Sequence, residues 1–207
     1  MVTCIMRLML PVLAAALLAG CGLPPPTARV EVNPQIANLS IKTVAILPLE
    51  EVAVTREMEE GFGWGARKVV NSGETVSDTL ATELVGIGGL NFIERSQIRR
   101  ILEEQGFSLS DILHKKSAPE IGKLLGADAV IVGSVSNMYI WWNVVGGTGY
   151  DIGFSVRMVH TETGVILWSA SVAQRGGGHE VLGATREECK SIADQLRKRL
   201  AVKPVTQ

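Results

Sequence analysis

GADAVIVGSVS, residues 126–136, contains the strand on which the fold turns. From Ala129 to Val135 (AVIVGSV) the run is apolar or small throughout, with no regular alternation. A strand with one wet face would show a polar side chain at every second place, so this one is expected to be covered on both faces, at the centre of a sheet. Downstream the period changes. Ile152, Phe154, Val156 and Met158 alternate with Asp151, Gly153, Ser155 and Arg157. After the turn Thr161-Glu162-Thr163-Gly164, the residues Ile166, Trp168, Ala170 and Val172 alternate again. An antiparallel hairpin over 150–160 and 165–173, wet on one face, follows from that pattern. Upstream, Thr43 to Leu49 (TVAILPL) is a second fully apolar strand.

Helical periods fill the intervals. From Gly73, the residues Val76, Leu80, Leu84 and Ile87 share a stripe that ends at Gly88-Gly89, before a short strand from Leu90 to Ile93. Ser96 to Gln105 predicts a helix burying Ile98, Ile101 and Leu102, with Gly106 as its stop. Ser117 with Glu120 reads as a capping box, Pro119 suits the first turn, and Ile121, Leu124 and Leu125 form the buried face. Thr185 with Glu188 reads as the cap of a closing helix that buries Cys189, Ile192, Leu196 and Leu200. Cys189 on that stripe is expected to be a small core residue. Gly61-Phe62-Gly63-Trp64-Gly65 reads as a loop. The fold class is therefore α/β (α+β): one domain with a mixed β-sheet flanked by helices.

The first residues belong to a different system. Arg7 is the only charge before Arg29, and an apolar run from Leu8 to Leu18 follows it. That length fits the core of a signal peptide and falls short of the roughly 20 residues of a spanning helix. Leu18-Ala19-Gly20-Cys21 then matches a lipobox: small residues admit a peptidase, and the Cys21 thiol accepts diacylglycerol. The expected division is 1–20 signal peptide, 21–42 lipidated cysteine and flexible tether, 43–202 folded domain, and 203–207 tail. Pro24-Pro25-Pro26 favours an extended tether. Two or more acyl chains on Cys21 would give a stable anchor. Gly22 is similar to the address of lipoproteins sent to the outer membrane, facing the periplasm.

Composition excludes several functions. The 207 residues carry a net charge of −1 with no long basic run, which argues against nucleic acid as a partner. His114, His160 and His179 are dispersed, and the single body cysteine cannot build a cysteine zinc site, so no metal is expected. There is neither GxSxG nor GxxxxGKS. The glycine clusters at 61–65, 146–149 and 176–178 read as flexible loops. The expectations are no catalytic residues, no cofactor beyond the acyl groups on Cys21, and no small-molecule substrate. One feature stands apart: Tyr139, Trp141 and Trp142, with Ile140, in the connection between the central strand and the hairpin. They read either as cover for the core edge or as a contact with a membrane or partner.

The segments FIERSQIRRILEEQGFSLSDI (92–112), GADAVIVGSVS (126–136) and VRMVHTETGVILWSAS (156–171), after VAILPL (44–49), resemble the CsgG family of outer-membrane lipoproteins. The likeness covers residues 43–173 together with the lipobox, and extends more widely to the TolB amino-terminal fold. It implies an envelope lipoprotein with protein partners and a possible homo-oligomer. Founding members form rings and give two β-hairpins per subunit to a secretion channel. Here the sequence departs. A spanning hairpin needs about 20 residues, whereas the windows Asn137–Gly149 and Arg175–Gly183 offer 13 and nine. The expected role is a non-catalytic accessory module of an envelope assembly or secretion system. The alternatives are a subunit of a curli-type channel and a lipoprotein regulator of peptidoglycan synthesis.

Overall fold

The computed structural model describes residues 26–52, 64–87, 89–106 and 117–201. Eight strands form one mixed sheet: β1 (Arg29–Val32), β2 (Thr43–Ile46), β3 (Glu50–Glu51), β4 (Trp64–Lys68), β5 (Asn91–Ile93), β6 (Ala129–Asn143), β7 (Thr148–His160) and β8 (Ile166–Gly177). Four described helices accompany them: α1 (Ser72–Leu84), α2 (Arg95–Glu104), α3 (Ala118–Leu125) and α4 (Val181–Ala201). The spatial order is β1-β8-β7-β6-β2-β5, with β3 and β4 also lying along β6. The strand read as central is central: β6 has β7 on one side and β2, β3 and β4 in turn on the other. Parallel pairing holds for β2, β3 and β5, and antiparallel pairing for the rest.

Alternation along β2 shows where the layers lie. Val44 and Ile46 join a core with Val76, Leu80 and Leu84 of α1 and Cys189, Ile192 and Leu196 of α4. Ala45 and Leu47, pointing the other way, join Ile98 and Leu102 of α2 and Ile121 and Leu125 of α3. The sheet is thus covered by α1 and α4 on one face and by α2 and α3 on the other. Side chains such as Leu80, Leu102, Ile131, Ile152 and Leu167 are almost fully excluded from water. Each contributes roughly 1.5–3 kcal/mol of burial. Two registers shift. One break falls between Val135 and Asn137 of β6, a bulge at Ser136; the other lies between Met158 and Val159 of β7.

Several expectations change. Within the stretch read as flexible tether, residues 29–32 pair with β8 and Pro34–Asn38 form a 3-10 turn, so the ordered domain begins before Thr43. The apolar Val30 explains this, since it is 1% exposed in the main core. The closing helix begins at Val181 rather than at a Thr185 cap; Thr185 Oγ1 donates to the Val181 carbonyl and Glu188 is buried. Ile166 does not follow its alternating set inward. Leu167, the extra residue of β8 opposite the Met158–Val159 step, is buried instead, and Ile166 is left 47% exposed. Trp64 and Gly65 belong to β4, not to a loop, while residues 61–63 lie outside the described residues. The expected connection 137–149 is mostly strand, because β6 and β7 continue to a short turn at 144–147. By contrast Glu120 reaches back to the Ser117 amide at 2.7 Å, as the capping box requires.

Candidate interaction site

Cys21 and the lipobox residues Leu18, Ala19 and Gly20 lie outside the described residues. The structure places Tyr139, Trp141 and Trp142 on the far half of β6. Beyond the bulge, β6 runs on between β4 and β7 and ends in the Asn143–Gly147 turn. Asn143 holds that turn: its Oδ1 accepts from the amides of Val145 (3.2 Å) and Gly147 (2.9 Å). Gly146 takes φ +84°, which an L side chain would resist. The two positions between are apolar, and Val144 and Val145 are 74% and 89% exposed.

The aromatic residues are seated on glycines from neighbouring strands. Trp142 lies on Gly65 of β4, where an added Cβ would approach its ring to 2.3 Å. Trp141 lies on Gly149 of β7, at 2.1 Å by the same measure, and Tyr150 lies on Gly176 of β8, at 2.3 Å. Each glycine gives an aromatic face a flat floor that no side chain would leave. Trp141 and Trp142 point to opposite faces, as neighbours in a strand must. Trp141 is half-buried with no hydrogen-bond partner for its buried Nε1 among the described residues, and Trp142 is 40% exposed. Tyr139 is half-buried opposite Asp151, whose carboxylate accepts two bonds from Arg175 at 2.6 and 2.8 Å. The tip is therefore apolar at its apex and charge-paired at its base. Of the two rings, Trp141 is the more buried and Trp142 the more exposed. Val144 and Val145 were missed. Their signal was two β-branched residues in an Asn-Val-Val-Gly-Gly turn, where polar residues are usual.

The remaining titratable groups have structural surroundings. His160 is buried and shares a 2.9 Å bond with Thr163, at the opposite end of β7 from the tip. His114 lies outside the described residues, and His179 is exposed. Burial pushes the Cys189 thiol up to about 12, with Glu83 and Glu188 adding to the rise. The amides of Thr43 and Lys42 hold the Asp128 carboxyl below its ordinary range, joining β2 to the start of β6. Among the described residues no group of three or more His, Cys, Asp or Glu is placed to hold a metal ion. No described helix is long and apolar enough to cross a membrane.

Fold and site define an α/β domain whose longest strands run on to a tip with aromatic rings seated on glycines. Its family can be stated. The chain belongs to the family of CsgG, the curli production assembly/transport component, whose model matches residues 55–165. No curated protein matches the sequence. Among solved structures it is similar to the PelC dodecamer from Paraburkholderia phytofirmans, at 15% identity and a TM-score of 0.52. That match covers 83% of this chain and 96% of the other. It is also similar to the lipoprotein GNA1162 from Neisseria meningitidis, at 15% identity and a TM-score of 0.54, covering 77% of this chain and 98% of that one. At such identities the likeness is one of fold.

Proposed function

We propose that this protein is a lipoprotein acylated on Cys21, anchored in the outer membrane and facing the periplasm, and that it serves envelope assembly or secretion as a non-catalytic accessory module. Its β6–β7 tip rests against the lipid surface, and its partners are other envelope proteins. The observation that carries this is the direction of the amino-terminal chain. Arg29 lies opposite Ser171 and Val32 opposite Trp168, so the register carried back two residues brings Thr27 level with Ala173. Ala173 faces Gly153, which faces Asn137. The chain toward Cys21 thus leaves on the side of the tip. Val144 is seven residues beyond Asn137, about 23 Å along the strand. Cys21 is six residues before Thr27, a reach of about 20 Å. Acyl chains and tip come to about the same level, and Trp and Tyr favour the interfacial zone.

One experiment tests anchor and tip together. A polarity-sensitive fluorophore on Val145→Cys is followed in envelopes and vesicles, with the acyl group read by a clickable palmitate. We expect labelled protein with a blue-shifted tip, and neither signal when Cys21→Ala is added. Equal acyl labelling of both proteins would remove the anchor; a water-like tip on a labelled protein would remove the membrane contact. A second reading, a ring of subunits, is favoured by the dodecameric state in the name of the PelC structure.

A further inference from the structure

Glu188 is 0% exposed, yet among the described residues no cation pairs with it. What it does bind lies more than 150 positions away. Its Oε1 accepts from the Thr27 amide at 2.7 Å and from the Thr27 hydroxyl at 3.0 Å, and its Oε2 accepts from the Ala28 amide at 2.8 Å. Two turns further along α4, Gln195 Nε2 donates to the Ala28 carbonyl at 2.8 Å. Four bonds thus converge on two residues just after the proline run, all from one helix. Neither residue needs this for its own secondary structure, because β1 begins only at Arg29. A buried carboxylate is costly unless its oxygens are satisfied, and here backbone amides and a hydroxyl satisfy both.

We propose that Glu188 and Gln195 form a clasp for residues 27 and 28, and that the clasp sets the distance between the domain and its membrane. The consequence rests on acylation of Cys21; the clasp itself does not. Closed, it holds Cys21 within six residues of Thr27, a span of at most about 20 Å. Opened, with β1 stripped from its edge of the sheet, it leaves the chain free as far as Thr43, a reach of about 70 Å. Val30 in the core and the Asn33 amide on the Leu167 carbonyl also hold this four-residue edge strand, and the carboxylate adds the hold nearest the membrane side. The closed clasp keeps the tip on the lipid; the open one hands the domain to a partner farther off.

The test uses the full lipidated protein in vesicles, read by hydrogen exchange and by trypsin, which on cutting after Arg29 releases a domain beginning at Val30. Glu188→Ala should speed exchange at residues 28–32 about tenfold or more, and release by a comparable factor, while β6 and β7 stay protected. Thr27→Pro removes the first amide and the hydroxyl at an exposed residue outside the core, and should act severalfold in the same direction. If Glu188→Ala also loses β6 and β7 protection, Thr27→Pro decides. Wild-type exchange and release in Thr27→Pro would overturn the clasp. Unlabelled Cys21 with altered exchange would overturn only the membrane consequence.

Discussion

Asn71, the residue before α1, sits at φ +54° with no side-chain bond to the helix it precedes. The cap comes instead from Glu51 on β3. Its Oε1 accepts from Ser72 Oγ at 2.9 Å and from the Gly73 amide at 3.3 Å, and its Oε2 accepts from Lys68 Nζ at 2.8 Å. The bond from Lys68 is the main cause that lowers the Glu51 carboxyl from 4.5 to about 2. Because the folded value is depressed, the stabilisation is complete above about 4.5 and lost as pH falls through about 2. Glu51→Gln should therefore cost about 1–2 kcal/mol at neutral pH, discounted for partial exposure, and the gap to wild type should close between those two values. Urea midpoints across that range measure it; a constant gap would contradict the assignment. Gly73 is needed at this junction for another reason, since a Cβ there would meet the Leu49 carbonyl at 2.0 Å.

The glycine–aromatic pairs make the corresponding case among elements. Gly149→Val would drive a side chain into the Trp141 ring, and we expect a loss of about 2–3 kcal/mol with a changed near-ultraviolet signal from tryptophan. Gly147→Ala, in the turn itself, meets only the Asn143 side chain and should cost less. A Gly149→Val protein with wild-type stability and spectrum would show that the seat is dispensable. These pairs also mark where the sequence stopped being legible. Periodicity located β6, the hairpin and all four described helices, because each carries its apolar pattern within its own residues. Gly149 and Trp141 are matched only by cross-strand register, which no single segment encodes. The same holds for Glu188: beside Thr185 it has the local pattern of a cap, and its true partners lie at the other end of the chain. Val30 and Val32 alternate with Arg29 and Glu31, but four residues are too short a run for that period to stand out from a tether.

On the scale of the whole molecule, the question is whether the long strands could leave the domain to line a pore. β6, β7 and β8 have 15, 13 and 12 residues, enough in length to cross a bilayer. Their inner faces are committed elsewhere. Met138, Tyr150, Ile152 and Phe154 are 3% exposed or less, in the core shared with α4. Exposing each to water would cost roughly 1.5–3 kcal/mol. The opposite face carries the Asp151–Arg175 pair, which suits water better than lipid. Purified lipidated protein should therefore be silent in planar bilayers. Steady single-channel currents would favour the channel reading instead. Ring formation, read by light scattering, is compatible with silence, since subunits can join through domains without giving strands to a barrel.

The bulge at Ser136 acts as an inverter of parity. Before it, the odd-numbered residues of β6 (Ala129, Ile131 and Val135) join the core under α1 and α4; after it the even-numbered Met138 does. Every residue out to the apex inherits that inversion. The inversion is one of numbering alone, because β7 has no extra residue opposite: Val135 faces Phe154 and Asn137 faces the next residue, Gly153. Deleting Ser136 would leave Val135 beside Asn137, opposite the adjacent Phe154 and Gly153, so the ladder would close without a bulge and keep Trp141 over Gly149 and Trp142 over Gly65. A one-residue gap here in a relative would therefore straighten the strand and leave the tip the same way up, although every residue beyond it would shift by one in number.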